Sequence, residues 1–216
     1  MSRKAFHPIK CLLLCLLCVP AWVDLGVAAE RHPLKNPLFE RISVAVSQIT
    51  RISSRFDQER HTSMLEASLY SSGRFHYQAP DCLRWEVERP SVYGFETCGS
   101  RATRWRGESA RAQVFSMDSE PGIKMFTEQI FAWIRADFAL LEKRFRISVT
   151  EEKPVTLKLT PRDAAASGGL DHMFISFSSE LTHVETIDIR ETDGDYTLIR
   201  FSGTVINGPA DKGLFQ

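Results

Sequence analysis

Between Leu69 and Trp105 the chain alternates apolar and polar side chains, and prolines and glycines interrupt the alternation at short intervals. Leu69, Phe75 and Tyr77 mark a first run, Leu83-Arg84-Trp85-Glu86-Val87 a second, Tyr93 and Phe95 a third, and Trp105 a fourth. A period of two puts successive side chains on opposite faces of an extended strand. The pattern therefore predicts consecutive antiparallel strands joined by tight turns. Pro80 and Pro90 have no amide proton to give to a sheet ladder, so they frame one strand between them.

The flanking segments add helices and more strands. Asn36-Pro37 reads as a helix start, with Asn as the cap and Pro at the first helical position. Leu38, Ile42, Ala45, Val46 and Ile49 then recur at helical spacing. A strand is expected over Ile52–Thr62 and a short one over Ala112–Phe115. Ser119-Glu120-Pro121 opens a second helix to about Ile134, and Asp137 caps a short helical piece through Leu141. Strand patterns return over residues 145–149, 155–159, 173–177, 183–191 and 196–205, with Asp193-Gly194 as the strongest hairpin signal. The tail from Asn207 reads as loosely held. The sum is a mainly β, α+β domain: one helix, about five strands, a helical insert and about five more strands. A single strongly twisted antiparallel sheet curling around its helices satisfies that order. The helices then cover the concave face, and the space beneath them is the expected cavity.

Residues 1–29 read as a targeting segment, with residues 30–216 as one domain. Arg3, Lys4 and Lys10 precede an apolar run from Cys11 to Val19 that is too short to span a bilayer, and Val27-Ala28-Ala29 suits cleavage before Glu30. The whole chain carries 27 basic and 27 acidic residues, and losing this segment leaves it slightly acidic. That balance gives no reason to expect nucleic acid or an anionic membrane as a partner. Of the five cysteines only Cys82 and Cys98 remain. In a hairpin turning about Pro90 they face each other, and an oxidising compartment would join them. Two buried free thiols are the alternative. No Gly-x-Ser-x-Gly, phosphate-binding glycine loop or metal-ligand spacing of His and Cys occurs, so the chain is expected to be no enzyme and to need no metal or cofactor.

Several segments in order resemble one family. Ser71-Ser72-Gly73-Arg74-Phe75, Leu83-Arg84-Trp85-Glu86 closed by Pro90, the Gly94 turn and Trp105 are similar to the outer-membrane lipoprotein carrier protein (LolA) family. Phe56-Asp57-Gln58, Leu157-Lys158-Leu159-Thr160-Pro161 and Glu191-Thr192-Asp193-Gly194-Asp195-Tyr196-Thr197 extend the resemblance along the mature chain. It implies an open half-barrel covered by the N-terminal helix and a helical lid. It also implies a periplasmic carrier that takes the acyl chains of a lipoprotein or other lipid from an inner-membrane exporter toward an outer-membrane acceptor, as a monomer.

On that resemblance Phe75, Tyr77, Trp85, Phe95 and Trp105 on strands, with Met125, Phe126, Ile130 and Trp133 on the lid helix, would line an acyl pocket. Arg84, beside Trp85 and so on the other face, would meet a head group or a partner, or simply be solvated. One position departs: where the family's carriers have an arginine that helps control lid opening, this chain has Ala79. A periplasmic interaction protein, with a groove for a partner's segment rather than lipid, is the alternative reading.

Overall fold

In the computed structural model of the chain, residues 36–107, 113–165, 167–209 and 213–215 are described, the side chains of residues 121, 122, 125 and 126 excepted. The expected signal segment lies outside them. Helix α1 (Pro37–Ser47) starts where its cap predicts, with Asn36 Oδ1 accepting the Leu38 amide at 3.0 Å. Six strands follow, one more than expected. They are β1 (Arg51–His61), β2 (Leu69–Gln78), β3 (Cys82–Arg89), β4 (Tyr93–Cys98), β5 (Arg101–Arg106) and β6 (Gln113–Ser116). Then come α2 (Pro121–Ile134) and α3 (Phe138–Arg144), the latter capped by Asp137, whose Oδ1 accepts the Leu140 amide at 2.9 Å. Lys143 and Arg144 carry α3 beyond Leu141 and suit its C-terminal dipole. The last five strands are β7 (Phe145–Glu152), β8 (Val155–Pro161), β9 (Leu170–Phe177), β10 (Val184–Glu191) and β11 (Tyr196–Ile206).

All eleven strands form one antiparallel sheet in the order β6-β5-β4-β3-β2-β1-β11-β10-β9-β8-β7. Every neighbouring pair but one is consecutive in sequence. The exception is β1 with β11, which face each other with Phe56 opposite Phe201 and join the two halves at the centre. The chain thus runs outward from β1 to the edge β6 and returns from the opposite edge β7 to β11. The sheet does not close on itself, and the α2–α3 insert connects its two edges. This is the open half-barrel with helices.

The inner face is apolar across most of its width. One row runs Val149, Leu157, Ile175, Ile187 and Ile199, and another Ile147, Leu159, Met173 and Ile189. At the centre Phe56, Phe75, Trp85 and Phe201 pack together, with the Phe56 and Trp85 ring centroids 4.3 Å apart. Phe39, Ile42 and Val46 of α1 are buried on this core, and Phe39 stacks on Phe138 of α3 at 4.5 Å. These side chains pack the centre of the space between the helices and the sheet.

Two glycines permit the close approaches. Phe56 lies over Gly73, where a Cβ would also strike the Glu86 carbonyl. Trp105 lies over Gly94, where a Cβ would sit 2.5 Å from the indole Cζ2 and from the Trp85 carbonyl.

Cys82 and Cys98 are opposed in the β3–β4 register and are joined as a disulfide, with Cα atoms 4.1 Å apart. Asn207, expected in a loose tail, is instead a clamp. Its Oδ1 accepts the amides of Thr50 and Arg51 at 2.8 and 3.1 Å, and its Nδ2 donates to the Gln48 carbonyl at 2.9 Å. An Asn side chain pairs with backbone as readily as a turn does, and here that backbone is the α1–β1 connection.

Two measurements test this packing. Gly73→Ala should cost about 3 kcal/mol in denaturant unfolding, because backbone as well as the Phe56 ring must give way. Burial pushes the His183 imidazole below its usual value, with Glu185 and Glu180 opposing the shift. An imidazole depressed in the fold contributes stability that is whole above its unfolded value, about pH 6.5, and is lost as pH falls below it. Thermal unfolding should therefore weaken from pH 7.5 to pH 5, and His183→Gln should flatten that part of the profile.

Candidate functional site

The helical insert lies across the inner face of β2–β5. At its start Glu120 gives up the capping role, and its carboxylate accepts from Arg104 Nη1 of β5 at 3.0 Å. Further along, Phe131 meets the Tyr77 ring of β2 edge-on at 6.0 Å. Just past its end Arg135 stacks over Phe131 at 4.6 Å and donates to the Pro80 carbonyl in the β2–β3 turn. An arginine on the helix side therefore contacts the turn beside Ala79.

Register places the sequence-derived residues on definite faces. Phe75, Trp85, Phe95 and Arg104 stand opposite one another in one inner row, and Tyr77, Leu83, Thr97 and Ala102 in the next. Phe75, Tyr77 and Trp85 are buried there, and Phe95 is half-buried. Ile130 and Trp133 are buried on α2 within the same core. The side chains of Met125 and Phe126 fall outside those described.

Trp105 departs from this set. It pairs with Gly94, on the face away from the helices, so it does not share the inner face with Trp85. The reason is register: odd and even positions of β5 take opposite faces, and Arg104 holds the inner one. On the outer face Arg84 covers the Trp105 ring at 4.4 Å. Its Nη1 donates to Glu96 Oε2 at 2.9 Å, and its Nη2 to Glu86 Oε2 at 3.2 Å. Arg84, expected at a head group or partner or in solvent, is thus held between two carboxylates and an indole.

Sequence reasoning did not single out Thr97, Thr127 or Arg135, and it took Glu120 only as part of a helix start and Arg104 only as part of a basic run on a solvated hairpin or docking face. Thr97 was within reach, because a hairpin turning about Pro90 puts it opposite Leu83. Arg135 lies beyond the periodic part of its helix and carries no sequence signal.

Two recesses lie beside the helices and at the sheet end. One, between α2 and α3, holds ≈ 20 Å³ and is lined by Ala132, Leu141 and Phe145 among others. The other, of ≈ 180 Å³, lies at the β1–β2 side under the C-terminal segment, between Arg51, His76 and Phe215. Ser53 Oγ and His76 Nδ1 are 3.0 Å apart at its wall, and Ser53 and His76 face each other across β1 and β2. Ligand pockets run to about 300–1,000 Å³. Neither of these two recesses has that room.

Arg84→Ala tests the outer-face cluster. It would leave the buried Glu96 carboxylate without this cation and uncover Trp105. The expected loss is about 2–4 kcal/mol in urea unfolding. Unchanged stability with lost ligand uptake would instead restore a contact role for Arg84.

The profile of the outer membrane lipoprotein carrier protein LolA family matches residues 47–216. Among curated protein sequences none matches the chain significantly. Solved structures are similar at low identity. A LolA-superfamily protein from Nitrosomonas europaea aligns over 82% of this chain and 94% of its own, at 7% identity and a TM-score of 0.39. The Mycobacterium tuberculosis lipoprotein LppX aligns over 81% and 96%, at 11% identity and a TM-score of 0.45. A chain of the Pseudomonas aeruginosa MucA/MucB complex aligns over 81% of this chain but 58% of that one, at 13% identity and a TM-score of 0.47. The family match takes in every strand from β1 to β11 and the whole α2–α3 insert, and the chain belongs to the outer membrane lipoprotein carrier protein LolA family.

Proposed function

We propose that this protein is an exported, periplasmic carrier. It binds the acyl chains of a lipoprotein or other lipid on its inner face beneath α2 and moves that cargo from the inner toward the outer membrane. The observation that carries the reading is the pairing of an apolar inner face with an insert that bridges the two open edges of the sheet. A sheet open at both edges can admit a long flexible ligand from the side, and the insert is the part of the chain that stands in its way.

The binding energy is that of hydrophobic transfer. At roughly 0.8 kcal/mol per methylene, one long acyl chain supplies about ten kcal/mol gross, before the cost of ordering it. Core side chains that meet one another in the closed arrangement would meet the acyl chain instead, so the net gain is smaller and release is within reach of a competing acceptor. Phe75, Tyr77, Trp85, Ile130 and Trp133 are the residues assigned to that contact. Delivery and acceptance by membrane partners follow from the same reading, and the carrier acts as a monomer without a cofactor.

Native mass spectrometry with lipid extraction, on protein purified from periplasm, tests it. The expected result is a mature chain beginning at Glu30 that carries an acylated species. Protein that is empty, fails to take up acylated ligand from its exporter and retains an envelope protein in its groove would replace carriage with partner binding.

A further inference from the structure

Six of the large apolar side chains exposed among the described residues gather at one end of the sheet. Met64 and Leu65 lie in the β1–β2 loop, Leu69 and Tyr70 at the start of β2, Val92 in the β3–β4 turn and Tyr93 at the start of β4. Met64 is 91% exposed, Tyr70 68%, and the other four between 41% and 54%. Successive strands alternate in direction, so both turns leave the sheet at this end, and the pairing of Ser72 with Arg89 sets them side by side. Both turns are held in place. The Ser63 amide donates to Asp195 Oδ1 at 2.7 Å and the Leu65 amide to the Thr62 carbonyl at 2.9 Å, while the Val92 carbonyl accepts the Gly107 amide at 2.7 Å. These bonds fix the backbone in a form that turns Met64 and Val92 outward, where a slack loop could fold them onto the sheet.

Their directions specify what could cover them. Leu69 and Tyr93 share the inner-face parity of Tyr77 and Phe95, whereas Tyr70 stands opposite Glu59 on the outer face. The rim is therefore apolar on both sides of the sheet end as well as at its tip. A flat partner surface reaches one side only, and a medium that surrounds the tip reaches every side. The acyl layer of a bilayer is such a medium, soft, apolar and without hydrogen-bonding demands. The two tyrosines suit its boundary, since each joins an apolar ring to a hydroxyl that can stay at the head-group level. Exposed Arg89 and Arg106 near the β3–β4 turn are balanced by Glu66 in the β1–β2 loop and Asp193 in the β10–β11 turn. Apolar insertion rather than net charge therefore has to supply the attraction.

We propose that this rim, with Met64 at its tip, docks the protein on a lipid bilayer by inserting at the boundary between head groups and acyl chains. The insertion is shallow and reversible, because it rests on a few side chains and not on a lipid anchor or a spanning helix. It brings the end of the inner face that carries Leu69 and Tyr93 to the bilayer surface. The inference goes beyond the carrier reading and does not depend on it, since it concerns the outside of the fold whatever the inner face holds.

The test is co-sedimentation of the full mature chain with vesicles of phosphatidylethanolamine and phosphatidylglycerol. The wild type should sediment with them. Met64→Glu and Val92→Glu, one in each turn, should each weaken binding roughly tenfold, the weight of one apolar side chain withdrawn from the acyl layer, with thermal unfolding unchanged. Val205→Glu alters an exposed apolar site at the opposite end of the sheet and should leave binding as it is. Met64→Trp should add a fluorescence component that brominated acyl chains quench. A wild type that stays in solution, or undiminished binding by Met64→Glu and Val92→Glu, would overturn the proposal. So would an equal loss on Val205→Glu, or a Met64→Trp indole that brominated chains leave unquenched. A wild type that ignores vesicles, with Met64→Glu blocking the loading of cargo from the exporter, would assign the rim to a protein partner and overturn the proposal as well.

Discussion

The pairing of β1 with β11 is the contact on which the rest of the architecture depends. All other strand pairs join neighbours in sequence and close short loops. This one brings together segments about 140 residues apart, at the larger entropic cost that goes with a long loop. What offsets that cost is visible at the junction. Phe56 faces Phe201, Phe75 and Trp85 pack around them, and Asn207 ties the end of β11 to the backbone before β1. Without it there would be two separate meanders, each with an apolar face too large for one helix to cover.

Joining the halves at the centre forces both free edges to the outside, and it makes the connection between β6 and β7 cross the mouth of the sheet. The insert is therefore placed by topology before any of its own contacts form. Among the described residues those contacts include an ion pair at Glu120, a ring contact at Phe131, the Arg135 bond to the Pro80 carbonyl, the Phe138 stack on Phe39 and the burial of Ile130 and Trp133 in the core. A partly exposed ion pair contributes little. Burial of its apolar side chains therefore accounts for more of the insert's attachment than its polar contacts do.

The outer face follows a different logic. There no helix among the described residues covers the sheet, and side chains cover one another. Trp105 rests on Gly94 and lies under Arg84, which is itself held by Glu86 and Glu96. The disulfide between Cys82 and Cys98 lies next to this cluster on the same hairpin. The β3–β5 region is thereby stiffened from outside, which gives the inner row of Phe75, Trp85 and Phe95 a rigid support.

The sequence by itself determined the local structure, because strand period, helix period, caps and turns act over a few residues. Asn36 and Asp137 cap their helices, Asp193-Gly194 turns its hairpin, and the hairpin about Pro90 sets Cys82 opposite Cys98. The family resemblance was legible in the same strand segments. Which face each strand turns to the helices was not legible there, because alternation names two faces without saying which is covered. Trp85 and Trp105 look alike in sequence, and only the β4–β5 register sends one inward and the other out. The aromatic packing at the centre of the sheet and the clamp at Asn207 likewise arise where segments remote in sequence meet. No local pattern encodes such a meeting, since it depends on which distant surface each element finds when the β1–β11 junction closes the sheet.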